Sequence, residues 1–127
     1  MKCQIKKANN YITVDHLSET LDRTELEYGY SQLMDHALYR DFNIAICNFS
    51  SIKNIVVAED DVLEIIHALS LIFIKKPDFH FIVVAPTPDL QAVSKLVHEE
   101  IRSLFDHPNL YKVDTIEEAR LIAENIN

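Results

Sequence analysis

Short apolar runs take turns along the chain with stretches whose apolar residues recur at helical spacing. Cys3–Ala8 and Tyr11–Leu17 read as two strands. Asn9-Asn10 between them suits a hairpin turn, because Asn tolerates left-handed backbone geometry. Ser18–Arg23 reads as polar and irregular. Thr24-x-x-Glu27 has the form of a capping box, and Leu26, Tyr30, Leu33, Met34, Ala37 and Leu38 follow at helical spacing. Gly29 inside that helix costs about 1 kcal/mol relative to Ala, which points to a close backbone approach there. Asn43–Phe49 predicts a strand and Ser50–Asn54 a loop. A second helix runs from near Ala58 to Ile74, with Glu59, Asp60 and Asp61 at its positive end and Lys75-Lys76 at its negative end, and Pro77 stops it. Phe79–Ala85 is continuously apolar, the mark of a strand covered on both faces. Thr87-Pro88 opens a third helix to Phe105 that places Leu90, Val93, Val97, Ile101 and Leu104 on one face. Asn109–Val113 is a last short strand, and Thr115-x-x-Glu118 caps a final helix with Ile116, Ala119, Ile122, Ala123 and Ile126 inward.

The order ββαβαβαβα predicts an α/β fold with a mixed sheet of about five strands and about four helices. The hairpin supplies the antiparallel start, and right-handed crossovers supply the parallel strands. No repeat, linker or low-complexity stretch interrupts the pattern, so residues 1–127 read as one domain. With 127 residues, 48% of them hydrophobic, the chain can bury about two-thirds of its surface, and its core needs no disulfide or structural metal.

Composition narrows the function. The single glycine excludes dinucleotide fingerprints, phosphate-cradling loops and nucleophile elbows, all of which need Gly where the backbone turns tightly or touches a ligand. Twelve basic against twenty acidic residues give a net charge of −8. Most of the excess lies from Glu59 onward, where six basic residues face thirteen acidic ones. Such a surface repels phosphate backbones and anionic lipid heads, so neither nucleic acid nor membrane is the expected partner. Cys3 and Cys47 are too few for a disulfide framework and lack CxxC spacing; Cys47 lies in an apolar strand, where a buried inert thiol is expected. The start MKCQIKKANN lacks the apolar stretch of a signal peptide, and Ile65–Ile74 is too short to span a bilayer. The expected compartment is the cytoplasm.

Four stretches resemble the STAS-like fold, named for sulfate transporters and anti-sigma-factor antagonists, and within it the SpoIIAA-like family of small bacterial proteins. They are the hairpin MKCQIKKANNYITV, the strand and loop FNIAICNFSSI, the strand FHFIVVAP and the ending LYKVDTIEEARLIAENI. The resemblance implies a non-catalytic regulatory or scaffolding module; distant relatives of CRAL-TRIO type imply an apolar ligand pocket as the alternative. Two departures carry consequences. Asn48 stands where phospho-switched antagonists end the strand in Asp, and the helix opening Val56-Val57-Ala58-Glu59 holds neither hydroxyl nor glycine. The phosphoserine switch is therefore not expected at that opening, and a phosphosite would fall on Ser50 or Ser51. Ser18 stands where many members place a Gly.

Candidate chemistry is sparse. Glu64-x-x-His67 is half of a carboxylate-bridged metal motif, but no second copy exists, so no metal is expected and His67 reads as a partly buried, hydrogen-bonded histidine. His16, His36, His80, His98 and His107 lack ligand spacing. His80 reads as a core or sheet-edge histidine, whereas Asp35-His36, Asp78-x-His80 and Asp106-His107 read as solvated surface. Ser50 and Ser51 follow a strand without an elbow or a neighbouring base, so no catalytic residue is assigned. In open parallel sheets ligands bind beyond the carboxyl ends of the strands. That rule singles out Asn48, Ser50, Ser51, Thr87, Asp114 and Thr115, for which helix capping is the competing role. No cofactor is expected.

The second helix is apolar almost all round. Val62, Ile65, Ile66, Leu69, Ile72 and Phe73 suffice to cover a sheet, and Leu63, Leu71 and Ile74 project on another side near His67. Either a neighbouring helix covers that second patch, or it marks an interface, for which a two-fold homodimer is the commonest closed solution. His67 then lies in the contact, where protonation at mildly acid pH weakens it.

Overall fold

A computed structural model describes residues 3–126. The apolar runs form β1 (Cys3–Lys7), β2 (Ile12–His16), β4 (Ile44–Asn48), β6 (His80–Val84) and β7 (Asn109–Val113). They line up in the order β1-β2-β4-β6-β7. The β1/β2 pair is antiparallel and every other pair is parallel, so the expected mixed sheet is present. Helices α1 (Arg23–Tyr39), α2 (Glu59–Lys75) and α3 (Pro88–Leu104) pack side by side on one face, and α4 (Ile116–Glu124) covers β4 and β6 on the other.

Strand parity explains this layering. In β6, Phe81 and Val83 face α1–α3, whereas Ile82 and Val84 face α4. In β4, Ala45 and Cys47 face the three helices, and Ile44 and Ile46 face α4. Both strands are covered twice, which is why their sequences run apolar without alternation. In β2, Ile12 and Val14 belong to the three-helix side, and the same parity carries His16 to that side at the strand end.

Several expectations are corrected. The Ser18–Arg23 segment is not irregular, and the loop expected over Ser50–Asn54 ends one residue early. Thr20–Asp22 forms β3 and Asn54–Val56 forms β5, and the two pair in parallel as a small separate sheet. Thr24 does not open α1: Asp22 is its N-cap, and its Oδ1 accepts from the Glu25 N–H at 2.9 Å. A carboxylate two residues earlier thus serves the first turn, and its charge suits the positive helix end. At α2 the N-cap Ala58 has no side-chain acceptor, and Asp61 reaches back to accept from the Ala58 N–H at 2.8 Å. Leu104 is 59% exposed and not on the buried face of α3. His36 is buried, not solvated, and its Nδ1–H donates to the Gln32 carbonyl at 2.8 Å. Thr87 and Thr115 cap α3 and α4 as their sequences imply.

Gly29 marks a close approach, but by a side chain and not by backbone. A Cβ there would fall within contact distance of His16 Cε1 and 2.6 Å from Nε2. The helix accepts a glycine so that an imidazole at the end of β2 can lie against it.

Candidate functional site

The carboxyl ends of β2, β4, β6 and β7 share one edge of the sheet, with Asp15 opposite Asn48 and Asn48 opposite Val84. The six residues singled out at these ends are engaged locally. Asn48 Nδ2 donates to Asp15 Oδ1 at 2.8 Å, and Lys6 pairs with the same carboxylate at 3.2 Å. Asn48 Oδ1 accepts from the Ser50 backbone N–H at 3.1 Å and from the Ser50 hydroxyl, which ties down the turn after β4. Ser51 is exposed. Thr87 accepts from the Leu90 N–H at 3.3 Å and Thr115 from the Glu118 N–H at 3.2 Å. Asp114 accepts from Gln91 Nε2 at 3.4 Å. The edge brings these groups into one row, and turns and helix caps use most of them.

None of the six lines the apolar cavity that lies one layer deeper, between the sheet and α1–α3. Its volume is about 70 Å³. Leu33 and Leu26 wall it from α1, Val83 and Phe81 from β6, and Leu90 and Val97 from α3. The β3/β5 ribbon contributes Leu21 and Ile55 and so acts as its roof.

Three polar side chains interrupt these walls: His16, Ser94 and His98. All three are buried, and His16 Nδ1, Ser94 Oγ and His98 Nε2 have no hydrogen-bond partner among the described residues. The His16 ring stacks on Phe49 at 4.6 Å, and His98 meets Phe81 edge-on at 6.3 Å. Burial pushes the His16 pKa down to about 4, although Glu25 and Asp15 oppose it. Burial likewise brings His98 to about 4, with Arg102 and Lys112 acting in the same direction. Both imidazoles are therefore neutral at physiological pH. These residues escape sequence reasoning that looks for ligand spacing. The available signals were the polar pair Ser94-x-x-x-His98 on the apolar stripe of α3, and Gly29 facing an unnamed neighbour.

At the rim, Tyr30 Oη donates to Glu64 Oε2 at 2.5 Å, and Arg23 pairs with Glu27 at 2.7 Å and Asp61 at 3.6 Å, which joins α1 to α2. His80, half-buried at the start of β6, shares a 3.0 Å hydrogen bond with Tyr111. Burial holds the Cys3 thiol up at about 11, with Glu25 and Asp15 adding to it, and burial pushes Cys47 higher still. Neither thiol supplies a thiolate nucleophile at neutral pH. Among the described residues, no group of three or more His, Cys, Asp or Glu side chains is placed to hold a metal ion, and no helix is long and apolar enough to cross a membrane.

The outer face of α2 bears the second candidate surface. Leu63 is 60% exposed, Leu71 38% and Ile74 68%, and His67 between them is exposed, not partly buried. α1 and α3 flank α2 without covering this ridge. Val62, Ile65 and Ile66 are partly buried against the core, and Leu69, Ile72 and Phe73 are fully inside it, as the apolar pattern requires.

No protein-family model matches the chain, and no curated protein matches it. Solved structures do. The anti-sigma factor antagonist SpoIIAA in its unphosphorylated form matches with a TM-score of 0.62 at 14% identity, over 98% of this chain and 100% of that one. The Bacillus cell fate determinant SpoIIAA in its phosphorylated form matches with a TM-score of 0.61 at 14% identity, over 95% of this chain and 98% of that one. The chain has the STAS/SpoIIAA-like fold.

Proposed function

We propose that this chain is a cytoplasmic, non-enzymatic regulatory domain that acts through protein association, first of all with a second copy of itself. The observation that carries the reading is the uncovered ridge Leu63, His67, Leu71 and Ile74, which runs the length of α2. Large apolar side chains in one exposed row favour burial against a partner.

Charge supports a second copy as the occupant. Glu59 and Asp60 lie in the first turn of α2 and Lys75 in its last. A two-fold antiparallel pairing therefore sets the acidic end of each helix against the basic end of the other, and the two ridges meet face to face. His67 is the middle residue of Glu59–Lys75 and falls at the axis.

The reading does without a phosphoserine switch at the opening of α2. Val56 to Glu59 offers no hydroxyl. Ser50, one of the two candidates in the preceding loop, is bound to Asn48 in the turn after β4.

Sedimentation velocity tests the association. Wild type is expected as a dimer, and Leu63→Glu with Leu71→Glu as a folded monomer with an unchanged thermal melt. Ser50→Ala with Ser51→Ala is expected to sediment like wild type. A monomeric wild type, or a double glutamate variant that stays dimeric, discards the ridge as the interface.

A further inference from the structure

We propose that the outer edge of β7 docks an extended segment of a partner protein in which acidic and apolar residues alternate, added to the sheet as a further strand beside Arg102 and Lys112. The site is separate from the ridge on α2 and does not depend on pairing there.

Backbone direction carries the first half of the argument. β7 ends the sheet order, so β6 pairs with one side of it and no strand pairs with the other. The Ala85 N–H donates to the Val113 carbonyl at 3.0 Å, which turns the polar groups of Val113, and by alternation those of Tyr111, toward β6. The N–H and C=O of Lys112 and the C=O of Leu110 therefore point outward, while the Leu110 N–H donates to the Pro108 carbonyl at 3.0 Å. Such an edge is a template for one more strand, bonded through its main chain.

Side chains define the occupant. Leu110, and by alternation Lys112, lie on the three-helix face, and Tyr111 and Val113 on the α4 face. Lys112 and the α3 residue Arg102 both lie near enough to His98 to disfavour its charge. Among the described residues neither cation is ion-paired with a carboxylate. An added strand alternates in the same way, so its residues on one face meet these cations and those on the other meet half-buried Tyr111 and Val113. Acidic side chains suit the first row and apolar ones the second. At the start of β7 a surface hollow lined by Arg102, Phe105, Asp106, His107 and Pro108 has room for a further side chain. A second copy bound through this edge would bring Lys112 against its own equivalent, and like charges across a strand pair are unfavourable. An edge lysine also wards off unwanted strands, and an acidic strand is the partner it does not repel.

Titration with a short capped peptide of alternating valine and glutamate, followed by the amide NMR signals of the chain, tests the assignment. Saturable shifts along β7 and at Arg102 are expected, with slower hydrogen exchange at the Lys112 N–H and weaker binding as salt rises. Lys112→Gln, which keeps the outward N–H, should weaken binding about threefold. Lys112→Pro, which removes that N–H at an edge position where proline is tolerated, should abolish it. Two peptides N-methylated at every glutamate or at every valine carry the same test on the unaltered protein, because they block opposite backbone edges: one should fail to bind while the other binds. A peptide of alternating valine and lysine should not bind. Absence of saturation with the valine–glutamate peptide, undiminished binding by Lys112→Pro, or equal binding of both methylated peptides overturns the proposal. So does equal binding of the valine–lysine peptide, or a Lys112 N–H that becomes protected in the free chain as its concentration rises, which would make a second copy the occupant.

Discussion

Val84→Asp is expected to leave no soluble folded protein. Val84 is wholly buried in β6, where it is paired with Asn48 of β4 on one side and Val113 of β7 on the other. Its side chain joins Ile44, Ile46 and Ile82 in the cluster that Ala119 and Ala123 close from α4. A carboxylate placed there loses its hydration among apolar neighbours, and a protonated one still leaves its hydroxyl unpaired. Either form costs several kcal/mol beyond the lost valine packing, against a total stability of about 5–15 kcal/mol. Leu104→Asp supplies the contrast, because that side chain is 59% exposed and its replacement should change stability by less than about 0.5 kcal/mol. Soluble yield and thermal melts of the two variants decide the matter. A soluble Val84→Asp protein with a cooperative melt contradicts the central place of β6.

The second large effect is a loss of stability in mild acid. His16 and His98 are held neutral in the folded chain, with pKa values of about 4 against an ordinary value of 6.5. The unfolded chain takes up protons as pH falls through 6.5, while the folded chain does not until about 4. Stability therefore declines across that window and levels off below it as far as these two groups are concerned. From pH 7 to about 5.5 each histidine accounts for about 1 kcal/mol, so the pair accounts for about 2 kcal/mol. Burial lowers His80 as well, which adds to the loss in the same direction. Urea denaturation at the two pH values measures this, and His98→Gln should remove about half of the two-histidine share. A chain as stable at pH 5.5 as at pH 7 would mean that the folded imidazoles accept protons readily, contrary to their burial.

The layering of the fold was legible because each element carries a long enough pattern. Seven consecutive residues from Phe79 announce a doubly covered strand, and the spacing of Leu90, Val97 and Ile101 announces a helix face. β3 and β5 are three residues each and pair across more than thirty positions of chain, so neither shows a period of its own. The capping box at Thr24 is a real sequence match, and Asp22 serves as the cap instead because the helix begins at Arg23.

The site was less legible for a different reason. The strand-end rule picked out Asn48, Thr87 and Thr115, and these residues do line up along one edge, where turns and caps occupy them. The cavity depends on how far side chains from β2, β6, α1 and α3 fall short of filling the space between them, and no single segment encodes that. His16, Ser94 and His98 appear in the sequence as isolated polar interruptions of apolar faces. The Ser94-x-x-x-His98 spacing and Gly29 were the local hints, and the partner of Gly29 became visible only in three dimensions. The α2 ridge lay between these cases. Its residues were readable, but whether a neighbouring helix covered them depended on the packing of α1 and α3.

Cross-linking at the middle of α2 tests the association most directly. Packed helices lie about 8–10 Å apart axis to axis, so facing positions at a two-fold axis are within reach of a short bis-maleimide. In His67→Cys the reagent is expected to join two chains, while wild type, whose Cys47 is buried in the core and whose Cys3 lies on the edge strand β1, is expected to remain unlinked. Adding Leu63→Glu and Leu71→Glu should abolish the linked product. A His67→Cys protein that stays at the mass of one chain, or links equally well with both glutamates present, contradicts the pairing of two copies through this helix.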